Sequence, residues 1–170
     1  DQFRGEIILD ANGNIYISST TSSMNFPITA GVYSTVLNGL QDAVVCKFNN
    51  TLTTMLWGSF FGGIGEESGN SIEISPNGSV YLSGGSTSPS FPSVTSGIDL
   101  SNNGGLSDGY IARFNPNNGT IVSATFMGAN EYDQAYFVRC DPGNNVYVYG
   151  QTESNWAISP GCTGTPNSGQ

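Results

Sequence analysis

The chain is predicted to be all-β, built from repeated units of four antiparallel strands. Three observations lead there. Gly13-Asn14-Ile15-Tyr16-Ile17-Ser18 returns 65 residues later as Gly78-Ser79-Val80-Tyr81-Leu82-Ser83, and the pattern starts a third time at Asn144-Asn145-Val146-Tyr147-Val148-Tyr149. Asp42-Ala43-Val44-Val45-Cys46-Lys47-Phe48-Asn49 returns 66 residues on as Asp108-Gly109-Tyr110-Ile111-Ala112-Arg113-Phe114-Asn115. Between these runs stand Gly-, Asn- and Ser-rich turns, and no segment has a helical period. Self-similarity at a fixed period means one supersecondary unit stacked on copies of itself, each covering the face its neighbour exposes.

Each element has its own signal. The first strand of each unit alternates apolar residues, as a half-buried strand must: Glu6 to Asp10, Ser71 to Ser75 and Phe137 to Asp141. Tight turns follow at Asp10–Asn14, Ser75–Ser79 and Asp141–Asn145. Their Asn-Gly or Pro-Gly-Asn cores accept the positive φ that a hairpin needs. The Ile/Val-Tyr run is the second strand and the Asp-to-Lys/Arg-Phe run the third. A fourth covers Met55–Phe61 and Ile121–Met127 and ends in a pair of small residues, Gly62-Gly63 or Gly128-Ala129. An acidic loop then leads to the next unit. Four antiparallel strands in succession, repeated at this period, describe blades of a β-propeller. Residues 6–61 would form blade one, 70–127 blade two and 134–170 a partial blade three. About two and a half blades cannot close a ring of four to eight. The expected partners are therefore the remaining blades of the same or a larger polypeptide, or further copies of the chain. Alone, such a segment is not expected to be a self-sufficient monomer.

The order of these motifs resembles the SBBP repeats, seven-bladed β-propeller repeats of large secreted or surface proteins of bacteria. Gly13-Asn14-Ile15-Tyr16, Phe26-Pro27, Asp42-Ala43, Lys47-Phe48 and Gly62-Gly63 carry the resemblance in the first copy. Val80-Tyr81, Gly84, Phe91-Pro92, Asp108, Arg113-Phe114 and Gly128 carry it in the second. The third copy departs, with Trp156-Ala157 where Phe-Pro is expected. The resemblance implies a scaffold in an exported protein, extracellular or on the cell surface, and carries no common enzymatic activity.

Composition narrows the function further. Thirteen acidic residues against four basic ones give a net charge of −9, which repels phosphate backbones and anionic membranes. Nucleic acid is not an expected partner, and no apolar run is long enough for a membrane helix. The chain has no His, which excludes Ser-His-Asp and Cys-His catalysis within it and removes the commonest zinc ligand. Its three cysteines have no metal-like spacing. Cys46 and Cys140 occupy strand positions of small apolar residues, and Cys162 lies in a loop from which a bridge to Cys140 is conceivable but not expected.

In a propeller, the loops from second to third strand and from fourth strand to the next blade share one face. Here those are 20–41 and 85–107, with the acidic loops 62–69 and 128–134. Binding concentrates on such loops. Phe26-Pro27 and Phe91-Pro92 recur in both copies and are expected to pin the long loops, which leaves recognition to residues that do not repeat. Glu66, Glu67, Glu131 and Asp133 place carboxylates in equivalent loops; they are the candidate ligand or Ca²⁺ site on this face, and otherwise a solvated acidic rim. Asp10-x-Asn12-Gly13-Asn14 superficially resembles a calcium loop, but Thr21 stands where the bidentate Glu belongs, so a hairpin turn is expected. Asp42 and Asp108 are expected to accept backbone N–H groups. Three Asn-x-Ser/Thr sequons, at Asn49, Asn77 and Asn118, are read as coincidence.

The leading functional expectation is a non-catalytic binding or display scaffold, with a glycan or a surface protein as ligand and no cofactor unless Ca²⁺. A carboxylate- or Ca²⁺-dependent hydrolase or lyase acting on polysaccharide is the alternative from another class. A purely structural spacer is the third.

Overall fold

The computed structural model describes residues 5–155, and among these there is no helix. The segment around Trp156 and the loop holding Cys162 lie outside the described residues. Ten strands form three antiparallel sheets of four, four and two strands. In the first, β1 (Glu6–Leu9), β2 (Ile15–Thr21), β3 (Asp42–Phe48) and β4 (Met55–Phe61) lie in sequence order. The second repeats this with β5 (Ser71–Ile74), β6 (Val80–Ser86), β7 (Asp108–Phe114) and β8 (Ile121–Met127). The third pairs β9 (Asp133–Cys140) with β10 (Val146–Thr152).

The units repeat in register as well as in order. In the first sheet Tyr16 faces Lys47 and Lys47 faces Trp57; in the second Tyr81 faces Arg113 and Arg113 faces Ser123. A register shift falls at the same place in both, between Lys47 and Phe48 and between Arg113 and Phe114. The first hairpin of each unit turns on a residue with positive φ: Gly13 at 77°, Gly78 at 84° and Asn144 at 64°. In two of these turns an aspartate fixes the loop. Asp10 Oδ1 accepts the N–H groups of Asn12 and Asn14, each at 2.9 Å, and Asp141 Oδ1 does the same for Gly143 and Asn145. The calcium-like spelling at Asp10 is thus a hairpin held by its own side chain.

One departure concerns the third unit. Its first strand begins at Asp133, four residues before the expected Phe137, so part of the acidic loop is strand. In the second unit the equivalent stretch makes only an isolated bridge, Glu67 to Ser86, before β5 begins. Local pairing with β10 through a register shift at Tyr149/Gly150 carries β9 across the gap.

The sheets stack on a shared aromatic core. Phe61 of β4 meets Phe91 at 4.6 Å, Tyr110 at 5.0 Å and Phe114 at 5.7 Å between ring centroids, so the first sheet's last strand packs on the second sheet. Phe91 also lies parallel on Phe126 at 4.4 Å. Trp57 and Lys47 both reach across to the carbonyl of Pro116, in the turn between β7 and β8. The three first strands run together: β1 touches β5, and β5 touches β9. Arg139 of β9 bonds Glu6 of β1 at 2.7 Å and lies 3.6 Å from Glu73 of β5. Glu6 in turn accepts the N–H of Ile72 and the hydroxyl of Ser71. One carboxylate therefore joins strands from all three sheets.

Candidate functional site

The repeated acidic residues fold inward. Asp42 and Glu67 are fully buried and meet at Gly62, where a Cβ would lie 2.7 Å from Asp42 and closer still to Glu67. Only glycine leaves room for both carboxylates. Asp42 accepts the N–H groups of Asn38 at 3.0 Å and Gly39 at 3.3 Å, and so closes the long loop before β3. Glu67 accepts the N–H of Gly63 at 2.8 Å and the hydroxyls of Ser86 and Ser88, each at 2.6 Å. Since Gly63 follows the first sheet and the two serines lie at the end of β6, Glu67 latches one sheet to the next.

The same latch returns one repeat later. Asp108 and Asp133 converge on Gly128; Asp108 accepts Asn103 N–H at 2.6 Å, and Asp133 accepts Ala129 N–H at 2.8 Å and the Ser154 hydroxyl at 3.0 Å. Asp133 is one methylene shorter than Glu67 and engages one hydroxyl where Glu67 engages two. Asp108 Oδ1 and Asp133 Oδ1 are left buried without a partner among the described residues. Burial pushes the carboxyls of Asp42, Glu67 and Asp108 above their ordinary values, against the hydrogen bonds that favour the ionised forms. The Asp42 charge adds to the rise at Glu67, and that of Asp133 to the rise at Asp108.

Of the four carboxylates expected to share a face, Glu67 and Asp133 are thus internal, each in its own latch, while Glu66 and Glu131 are exposed. Among the described residues no three acidic, His or Cys side chains gather at one point. The expectation for Asp42 and Asp108 as acceptors of backbone N–H groups is met. Cys46 is buried in β3, where burial pushes its thiol up to about 12, far from reactive thiolate character. Phe91 pins its loop between two sheets, whereas Phe26 is half-buried and its ring lies 6.3 Å from that of Phe60 in its own sheet.

Above the latches lies a groove of about 390 Å³. Its walls come from the roots of the loops expected to carry recognition: Thr20 at the end of β2, Gln41 before β3, Glu66 and Asn70 before β5, Tyr132 and Tyr136 at β9. Among the described residues no Lys or Arg lines it. Several polar groups are already oriented by the backbone. Thr20 Oγ1 accepts Gly69 N–H at 3.0 Å, Ser68 Oγ accepts Gly85 N–H at 2.9 Å, and Thr87 Oγ1 accepts Glu66 N–H at 2.7 Å. The Gln134 amide donates to Ser107 Oγ at 2.9 Å, and the Asn70 amide to Ala135 O at 3.0 Å. Sequence reasoning passed over Thr20, Gln41, Asn70 and Gln134, because single neutral residues at the ends of strands form no motif. Their one signal was that they fail to repeat.

No protein-family model matches the chain, and no curated protein matches it.

Proposed function

We propose that the chain is a segment of a β-propeller that serves an exported bacterial protein as a non-catalytic binding or display scaffold. The architecture is supported by two four-stranded sheets and a two-stranded one that repeat a single strand order, their first strands running side by side and sharing the Glu6–Arg139 link, as inner strands around an axis would. The observation that carries the absence of catalysis is the latch. In each acidic loop the inner carboxylate, Glu67 or Asp133, is committed to neighbouring N–H and hydroxyl groups inside the protein, which leaves the exposed Glu66 and Glu131 without a second carboxylate of the same loop facing solvent. An acid–base pair must instead reach a substrate. The acidic charge and the resemblance to surface-protein repeats support a location outside the cell. The test is limited proteolysis of intact producing cells, followed by electron microscopy of the released protein. Release without lysis and a ring of radial blades are expected; retention until lysis would refute export, and a linear stack of sheets would refute the ring.

A further inference from the structure

The groove above the latches has chemistry that selects a ligand class. We propose that it binds a neutral, polyhydroxylated ligand, an uncharged oligosaccharide; this rests on reading the chain as a binding module. Its volume, about 390 Å³, falls within the range of small-ligand clefts, about 300–1,000 Å³. A hydroxyl that accepts a backbone N–H keeps its own O–H to donate, and an amide whose N–H₂ is engaged keeps its carbonyl oxygen to accept. Thr20 and Ser68 are hydroxyls of the first kind, and Asn70 is an amide of the second; the Gln134 carbonyl oxygen takes the Asn70 amide at 3.5 Å and keeps one lone pair. The groove therefore offers both hydroxyl donors and amide acceptors already held in place, beside the exposed Glu66. A sugar's hydroxyls, each donor and acceptor at once, match that set without reorganisation.

Other ligand classes fit worse. A phosphate or sulfate would enter an acidic protein at a wall to which the described residues contribute no Lys or Arg. An apolar ligand would strip water from these hydroxyls and amides and return no hydrogen bonds. Tyr132 and Tyr136 supply aromatic surface of the kind against which the C–H face of a pyranose packs, and exposed Glu66 can accept two adjacent hydroxyls.

The pattern of repetition points the same way. At the structural positions the two copies keep their chemistry: Asp42 and Asp108, Gly62 and Gly128, Ser88 and Ser154. On the groove wall they diverge: Gln41 against Ser107, Glu66 against Tyr132, Asn70 against Tyr136. A surface that only closed the fold at each junction would repeat with the latch beneath it. This one is particular to its place between the sheets.

The experiment screens the full chain on an array of neutral oligosaccharides, with sulfated and sialylated glycans alongside, and then titrates the best binder by calorimetry. Leu106 stands on the groove rim and is 80% exposed, so Leu106→Trp obstructs the opening without touching the core. Gln41→Ala removes one wall amide. Ile98→Trp, at a residue 98% exposed and outside the groove, is the control. Expected are binding of a neutral oligosaccharide, a loss of at least about tenfold in both groove variants with unchanged melting, and no loss in the control. Neutral-glycan binding that survives both groove variants would overturn the site while leaving the binding module standing. Preference for the charged glycans would overturn the ligand class, and no binding at all would overturn both and leave the spacer reading.

Discussion

At the scale of single residues, the sequence pointed to the right acids for the wrong reason. Glu67 and Asp133 were legible as repeated carboxylates beside a small-residue pair, but spacing along a chain does not say which way a side chain turns. The deciding feature was Gly62, whose missing Cβ makes room for the carboxylates behind it. A pH dependence follows. Burial raises the Glu67 carboxyl above its ordinary 4.5, so the folded chain holds that proton more tightly than the unfolded one. The stability this lends is fully present below 4.5 and is lost as pH rises through the elevated folded value. Glu6 behaves oppositely. Burial again opposes its charge, but hydrogen bonds from Arg139, Ser71 and Ile72 outweigh burial and hold it below 4.5, so its contribution is lost as pH falls. Urea denaturation of wild type and Glu67→Gln across a pH series separates the two. The stability difference between them, wild type minus variant, should shrink as pH rises from 4.5 upwards, because Gln cannot release a proton. A difference that stays flat across that window would show that Glu67 titrates as it does in the unfolded chain.

Among the elements, nearly every strand was readable because alternation and turn chemistry are local. Third and fourth strands fall where the motifs put them, at Asp42–Phe48, Met55–Phe61, Asp108–Phe114 and Ile121–Met127. The start of β9 was not readable, since pairing with β10 rather than local propensity decides whether Asp133 to Tyr136 are extended in a ladder. The junction of first strands was equally hidden. Glu6, Ser71 and Arg139 are far apart in the chain and carry no shared motif, yet they bond one another. The Arg139 side chain is 52% exposed, so its ion pair with Glu6 is screened and worth about 0.2–1 kcal/mol. Glu6 does more than pair with it. Without that carboxylate the Ile72 N–H and Ser71 hydroxyl lose an acceptor in a part-buried place, which costs about 1–3 kcal/mol. Glu6→Ala should therefore destabilise more than Arg139→Ala in chemical denaturation. Equal losses would mean that the ion pair, and not the anchoring of β5, holds the junction.

For the whole molecule, what matters is whether each sheet is stable alone or leans on its neighbour, and the two Phe-Pro motifs test this within one chain. By sequence they are equivalent. In space they are not: Phe91 is 5% exposed and packs on Phe61 of the first sheet as well as on Phe126 of its own, while Phe26 is half-buried and its ring partner, Phe60, belongs to its own sheet. Stacked units share stability through such nearest-neighbour contacts, so truncating Phe91 removes an interface as well as a loop anchor. Phe91→Ala should cost about 3–5 kcal/mol, the range for a large aromatic removed from a packed core. Phe26→Ala should cost about 1 kcal/mol, in keeping with the smaller apolar area it buries. The shape of the transition is the sharper readout. Loss of the Phe61–Phe91 contact should lower the denaturant slope or split the transition, because it thins the shared core to the contacts of Phe61 with Tyr110 and Phe114 and loosens the coupling between the sheets. Phe26→Ala should shift the midpoint and leave the slope alone. Equal costs with unchanged slopes would show that each sheet carries its own stability, and the proposed ring of blades would lose its energetic basis.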